Sequence, residues 1–254
     1  MNIICDLDGV VYRGEQLIPG SDTALKDAHA ARLGLYFATN NSTRTPFDVA
    51  EKLERVAGFQ ADPASIVTSS QAAASILSSE DFPTYVLGSK AILAALVEAG
   101  VETTGDPEAA SSVVVGMDWD LTYDKLARAA SAVRNGARFI ATNTDATYPA
   151  ENQILPGSGA IVAAMATAAG VNPEVAGKPH MPMRRLLQSK VTGTAWVIGD
   201  RLETDIALAT RNESWKSVVV LTGIAAPDDD LSEADYVAAN LREAIDLVLD
   251  IEKE

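Results

Sequence analysis

The chain has 254 residues, 47% apolar and 22% charged, enough for one large or two modest domains with a real core and unlike a disordered or fibrous composition. Its 35 acidic against 20 basic residues give a formal net charge of −15, which argues against nucleic-acid backbones and anionic membrane surfaces, since both are held by clustered Lys and Arg. A single cysteine, Cys5, with His29 and His180 as the two histidines, excludes an internal disulfide and a zinc site of ordinary ligand count; it points to a reducing, cytoplasmic setting.

No run reaches membrane-spanning length and no signal peptide is read at the start. The chain opens on Asn2 to Cys5, an apolar run that reads as a strand buried on both faces, and ends abruptly in Asp6-Leu7-Asp8-Gly9. Residues two apart in extended chain point the same way, so Asp6 and Asp8 can face one pocket while Leu7 turns inward. Like charges that close call for a shared proton or a metal; an ordinary Asp-Gly turn fits the same residues. After a flexible segment, Tyr12 to Gly20, Ser21 reads as the N-cap of a helix that buries Leu25, Ala28 and Leu33 and stops at Gly34. Leu35 to Ala38 is the second strand and leads into Thr39-Asn40-Asn41-Ser42. Thr45-Pro46 caps and starts a helix, Phe47 to Ala57, closed by Gly58. Ile66-Val67, with a helix from Ser69 through Leu77, completes a third unit.

A polar, proline-containing break at Ser78 to Pro83 marks a boundary, and beyond it the pattern restarts. Strand Tyr85 to Leu87, helix Lys90 to Ala99, strand Val113 to Val115, helix Tyr123 to Arg134 and strand Phe139 to Ala141 follow in turn. The lead-out Thr142-Asn143-Thr144-Asp145 is polar, and Pro156-Gly157 opens a helix ending at Gly170. Gly177-Lys178-Pro179 lacks the upstream glycine and the following hydroxyl of a P-loop, so Lys178 stands in a proline-bounded loop. Met181 to Lys190 is helical. The apolar strand Ala195 to Ile198 ends in Gly199-Asp200-Arg201-Leu202-Glu203-Thr204-Asp205, and Ile206 to Thr210 continues as helix. Val218 to Leu221 reads as the last core strand, and Asn240 to Ile251 as an amphipathic terminal helix. Strand alternating with helix at this pitch predicts right-handed crossovers and parallel sheets. The expected fold is α/β, a Rossmann-like doubly wound core over 1–79 and 176–254 with an α/β unit inserted at 80–175.

Three apolar strands thus end in chemistry: Asp6 with Asp8, Thr39 with Asn40, and Asp200 with Asp205, with Lys178 just ahead of the third. Taken singly, Thr39 reads as a strand-end hydroxyl, Lys178 as a solvated charge and Asp205 as a helix-start acid favoured by the dipole. Their joint order overturns those readings, and in that order the chain resembles the haloacid dehalogenase superfamily, whose four motifs are matched by Asp6-Leu7-Asp8-Gly9-Val10, Thr39, Lys178 and Gly199-Asp200 with Thr204-Asp205. The segments Asn40 to Thr45, Thr142 to Asp145 and Gly177 to Pro179 are similar to the NagD-like, 4-nitrophenylphosphatase branch, which carries a large α/β cap between the second and third motifs.

That resemblance implies a magnesium-dependent phosphatase acting on small phosphate monoesters through an aspartyl-phosphate. Asp6 would be the nucleophile and Asp8 the acid and base; Asp6, Asp200 and Asp8, the last through its backbone carbonyl, would hold Mg2+, with Asp205 behind them. Thr39, Asn40 and Lys178 would surround the phosphoryl oxygens. For Asn143 and Asp145 a loop role and a substrate-facing role stand equal, and Arg44, His180 and Arg201 are structural by default. A phosphomutase of the same superfamily and a non-catalytic phosphate-binding regulator are the competing readings. The expected partner is a small phosphate ester, with no nucleic acid and no membrane, and the cap leaves room for a homodimer.

Overall fold

The computed structural model describes residues 1–149 and 153–251. In chain order the elements are β1 (Asn2–Cys5), β2 (Tyr12–Arg13), β3 (Gln16–Leu17), α1 (Ser21–Ala30), β4 (Gly34–Thr39), α2 (Pro46–Ala57), β5 (Ile66–Thr68) and α3 (Ser69–Ala74). Then come β6 (Thr84–Leu87), α4 (Lys90–Glu98), β7 (Thr103–Thr104), β8 (Ser112–Val115), α5 (Tyr123–Arg134), β9 (Arg138–Ala141), β10 (Thr147–Pro149), β11 (Ile154–Pro156), α6 (Ser158–Ala169) and β12 (Glu174–Val175). The chain closes with α7 (Met181–Lys190), β13 (Ala195–Gly199), a π-helical turn Leu202–Ile206, α8 (Ala207–Thr210), β14 (Trp215–Val220), β15 (Tyr236–Ala238) and α9 (Leu241–Ile251).

The first sheet is wholly parallel in the order β15-β14-β13-β1-β4-β5, and the second, also parallel, runs β12-β9-β8-β6-β7. Period-two alternation sorts β1 between two cores. Ile3, Cys5 and Leu7 join the cluster under α1, α2 and α9, with Leu25, Leu53 and Ile245, whereas Ile4 joins Met183, Leu187 and Leu208 on the opposite face. Helices on both faces make this a doubly wound sheet. The second sheet packs Val113, Val115 and Phe139 against α5 and α6, while Val114 and Ile140 share with Ile92 and Leu96 of α4 the apolar cluster of α3 and α7. A continuous core therefore runs from one sheet into the other. Among the described residues no helix is long and apolar enough to cross a membrane.

Several local expectations give way. The segment Tyr12 to Gly20 is a β2-β3 hairpin anchored by buried Val10, Val11, Tyr12 and Ile18. Gly20, in the left-handed region, holds the N-cap position of α1; Ser21 is the first helical residue, and its hydroxyl donates instead to the Val10 carbonyl at 3.2 Å. α1 ends at Ala30, the chain turns through Arg32 at a φ of +60°, and Gly34 begins β4, its amide donating to the Met1 carbonyl at 3.0 Å. α3 stops at Ala74, short of Leu77. β14 is not the last strand, since β15 pairs beyond it through Val218 and Tyr236. The expected Thr45 cap and first-turn Pro46 of α2 are present, and Asp48 completes a capping box, with Thr45 Oγ1 accepting from the Asp48 amide.

Leu96 is fully buried in the cluster that spans both sheets. Leu96→Ala is expected to cost ~2–5 kcal/mol of stability in urea unfolding while leaving a single transition. Two resolved transitions would mean that the shared cluster does not couple the sheets.

Candidate functional site

In the first sheet the chain steps outward from β1 to β4 and β5 on one side and returns to β13 on the other, so the order reverses between β1 and β13. Open α/β sheets place their crevice at such a reversal, outside the carboxyl ends of the strands. The Asp6 amide donates to the Ile198 carbonyl at 2.8 Å, extending the ladder by one step before the chain turns away at Gly9, whose φ is +91°. Asp6 and Asp8 emerge together from the face that Leu7 leaves.

Lys178, 4% exposed, closes the floor. Its Nζ donates to Asp6 Oδ1 at 2.5 Å, to Asp205 Oδ1 at 2.6 Å and to the Ala38 carbonyl at 2.8 Å, so all three ammonium protons are used. Asn40 fixes the backbone around it: Asn40 Oδ1 accepts from the Lys178 amide at 2.7 Å, and Asn40 Nδ2 donates to the Lys178 carbonyl at 3.2 Å and to Asp145 Oδ1 at 3.1 Å. Asn143 Nδ2 in turn donates to the Asn40 carbonyl at 2.7 Å and to Ser158 Oγ at 3.2 Å. Thr39 Oγ1 accepts from the Asn41 amide at 3.0 Å and keeps its own proton to donate. Asp205 Oδ2 accepts from the Thr204 hydroxyl at 3.2 Å within the π-helical turn, an element that often marks functional positions.

Asp200 sits in a slot with room for a carboxylate and no more. Its Oδ2 accepts from the Ile224 amide at 2.8 Å, and a Cβ added at Gly223 would stand 1.8 Å from that oxygen. Asp6, Asp200 and Asp205 bring one carboxylate oxygen each within 4.8 Å of one another. The Asp8 carboxylate stands outside that trio; its Oδ1 is buried without a hydrogen-bond partner, with Lys52 Nζ 3.9 Å away.

Burial raises Asp6 well above the usual carboxylate range, against the pull of Lys178. Burial, with the neighbouring Asp205 charge, lifts Asp200 to about 6. Burial also raises Asp8, with Lys52 and the Asn41 side chain opposing. For Lys178 burial acts downward, but Asp205 and Asp6 outweigh it and hold the ammonium above the usual lysine value. Acids pushed toward their neutral forms are short of positive charge, and an all-oxygen trio of hard donors suits a small divalent cation of the magnesium or calcium type.

Asp6, Asp8, Thr39, Asn40, Asn143, Asp145, Lys178, Asp200 and Asp205 all line one cleft. Asn143 lies there as a clamp whose amide protons are already given to Asn40 and Ser158, whereas Asp145 faces the cleft beside Thr147 and Arg201. Arg201, taken as structural from sequence, is also on the wall and reaches the Thr147 hydroxyl at 3.4 Å. Arg44 lies instead 3.6 Å from Glu15 in an ion pair. Met117, Tyr148 and Ser158 on the wall and Lys52 beneath it were not legible as site residues. The signal for Lys52 was a lysine on the buried stripe of α2, between Val49 and Leu53.

Residues 3–102 match the family model described as haloacid dehalogenase-like hydrolase, and residues 175–244 match a HAD-hydrolase-like model. An acid sugar phosphatase of Staphylococcus epidermidis is 35% identical over 235 residues, covering 89% of this chain and 88% of that protein. A glycerol phosphate phosphatase of Mycobacterium tuberculosis, solved with magnesium, superposes with a TM-score of 0.86 at 33% identity over 95% of this chain and 75% of the other. A 4-nitrophenylphosphatase of Thermotoga maritima gives a TM-score of 0.84 at 30% identity, covering 96% and 95%.

Both neighbours that the sequence left equal bond Asn40, but Asn143 commits its amide protons to Asn40 and Ser158 whereas Asp145 gives Asn40 a single oxygen. Asn143→Ala unpins the Asn40 carbonyl and is expected to lower kcat/KM on every ester by a similar factor and to cost ~1–3 kcal/mol of stability. Asp145→Ala, which removes a group facing the cleft, should reorder esters by preference. A substrate-selective effect of Asn143→Ala in a panel of phosphate esters would contradict the clamp.

Proposed function

The chain belongs to the haloacid dehalogenase-like hydrolases, and from that membership we propose that it is a magnesium-dependent phosphatase of small phosphate monoesters, sugar or polyol phosphates first among them, working through an aspartyl-phosphate. The observation that carries the reading is the Asp6 carboxylate held at 2.5 Å by a buried lysine beside two further carboxylates at a sheet's topological switch point. An Asp6 oxygen forms a bond to phosphorus as the ester P–O bond breaks, dividing one hard displacement into two easier ones. Asp8 gives its proton to the departing alkoxide oxygen. It then takes one from the water that attacks the acyl-phosphate, so the enzyme returns to its starting protonation as inorganic phosphate leaves. The upward push that burial gives Asp8 favours the proton-bearing form that the first step needs.

The Thr39 hydroxyl would donate to a phosphoryl oxygen, and the Lys178 ammonium, its protons already held, would act on the charge spread over those oxygens through space. Asp6, Asp200 and the Asp8 carbonyl would hold magnesium, with Asp205 behind them, and the ion would supply the remaining positive charge there. The trio's shortage of cations supports that fit. The second sheet, taken as a cap over about residues 80–175, supplies the wall that meets the leaving group, with Asp145 as its polar contact.

Asp6→Asn keeps the shape and removes the nucleophile. Turnover is expected to fall by at least ~10³-fold with the melting temperature maintained, and activity within about tenfold of wild type would sink the assignment. EDTA should abolish phosphate release and magnesium restore it.

A carboxyl whose folded pKa is raised keeps its proton longer when folded, so Asp200 costs the metal-free protein stability as pH rises from ~3.9 through about 6. Magnesium displaces that proton, and the thermal upshift it produces should therefore be larger near pH ~7.5 than near pH ~5. Equal upshifts at both would speak against Asp200 as a ligand.

A further inference from the structure

α2 buries a stripe made of Val49, Lys52, Leu53 and Ala57, and Lys52 within it is only 3% exposed. A lysine is seldom buried that far unless its charge is met. Its Nζ lies 3.6 Å from the centre of the Tyr12 ring, itself 2% exposed, and 3.9 Å from Asp8 Oδ1. The other buried lysine of the site, Lys178, has its three protons occupied by Asp6, Asp205 and the Ala38 carbonyl. Among the groups that act on Asp8, Lys52 has a stronger pull than Lys178 or Arg44, and the Asn41 side chain is bonded to the same carboxyl.

The two lysines treat their carboxylates differently. Lys178 grips Asp6 at 2.5 Å, a tight pair that takes up one carboxylate oxygen and pulls toward the ionised form against the upward push of burial. Lys52 stands off from Asp8 at 3.9 Å, beyond hydrogen-bond reach, with its ammonium held over a ring face. At that separation the attraction orients the carboxyl without taking up its oxygen, whose Oδ1 stays unpaired. A carboxylate two residues from Asp6 would otherwise be drawn toward any cation that the Asp6, Asp200 and Asp205 trio holds, because Coulomb attraction in so dry a site reaches several ångströms.

We infer that Lys52 is a positioning residue: its buried ammonium keeps the Asp8 carboxyl out of the metal-binding trio and turned toward the leaving group, where it delivers a proton instead of ligating a cation. The inference rests on Asp8 being the proton carrier of the phosphatase reading. Proton delivery matters to an alkoxide leaving group and little to 4-nitrophenolate, which departs as a stable anion. The ratio of kcat/KM for the two kinds of ester therefore reports on Asp8 specifically.

The experiment compares glycerol 3-phosphate with 4-nitrophenyl phosphate in wild type, Asp8→Asn, Lys52→Met, Lys52→Arg and the Asp8→Asn/Lys52→Met double variant, with magnesium saturating, and reads the magnesium-induced thermal upshift of each variant without substrate. Lys52→Met, which frees the Asp8 carboxyl to join the cation, should raise that upshift above wild type, and an unchanged upshift overturns the proposal. Lys52→Met is expected to lower kcat/KM on the alkyl ester by about 10- to 100-fold and on the aryl ester by no more than a few-fold, and Lys52→Arg to recover most of the alkyl rate. In the Asp8→Asn background Lys52→Met should add almost nothing, because both changes disable the same step. Equal falls on the two esters, or a full additional loss in the double variant, overturn the role of Lys52. If Lys52→Met does not fold, Lys52→Gln, which keeps a polar side chain of similar reach and removes the charge, carries the same comparison with the same two outcomes. Should Asp8→Asn alone lower both esters equally, the reading of Asp8 fails, and that result is distinct from a failure confined to Lys52.

Discussion

The ammonium of Lys178 spends its protons on Asp6, Asp205 and the Ala38 carbonyl, and the placing of Asn40 and Asn143 follows from that bond set. Acids at the ends of β1 and β13 are brought together out of water, where removing one partner of a buried pair ordinarily costs ~3–5 kcal/mol because the remaining charge is left unsolvated. Here the loss of one lysine would strand two. The requirement extends outward along the backbone: Asn40 must hold the Lys178 loop by both of its peptide groups, and Asn143 must hold Asn40. A chain of hydrogen bonds thus links the end of β1 to the end of β9, and the second sheet takes part in fixing a charge that belongs to the first.

Neighbouring carboxylates acquire different characters from small differences in approach. Asp6 is gripped, Asp200 is confined between an amide and the bare backbones of Gly223 and Gly9, and Asp8 keeps an oxygen unpaired. Burial raises all three. What separates them is which cation or amide stands near, and how near, which is how a single cleft can give three carboxyls different characters at the same pH.

Much of this was legible in the amino acids. Apolar runs that stop at Asp6, Thr39 and Asp200 announced parallel strands with polar ends, and the two sheets follow that alternation. The resemblance carried by those strand ends is borne out at the level of family. Less visible were pieces whose shape is set by distant partners: the β2-β3 hairpin, which exists because Val10 to Tyr12 are buried; two-residue strands such as β7 and β12; and β15, which takes its place only by pairing with β14. Asn143 and Asp145 could not be told apart, because which amide proton is already taken depends on a carbonyl about a hundred residues away. Lys52 was hidden for the opposite reason. A charged residue in an amphipathic helix is normally on the wet face, and only the depth of the Tyr12 hairpin turns that position inward.

β1 lies between β4, which follows it within 40 residues, and β13, which begins at Ala195. During synthesis one edge of this apolar strand finds its partner early, while the other stays open until nearly four-fifths of the chain has left the ribosome. Unpaired strand edges of this kind recruit other chains. The nascent protein must therefore pass through a long interval with its central strand half-zipped and its acidic end exposed to water, and the site comes into being only when β13 arrives to complete the sheet.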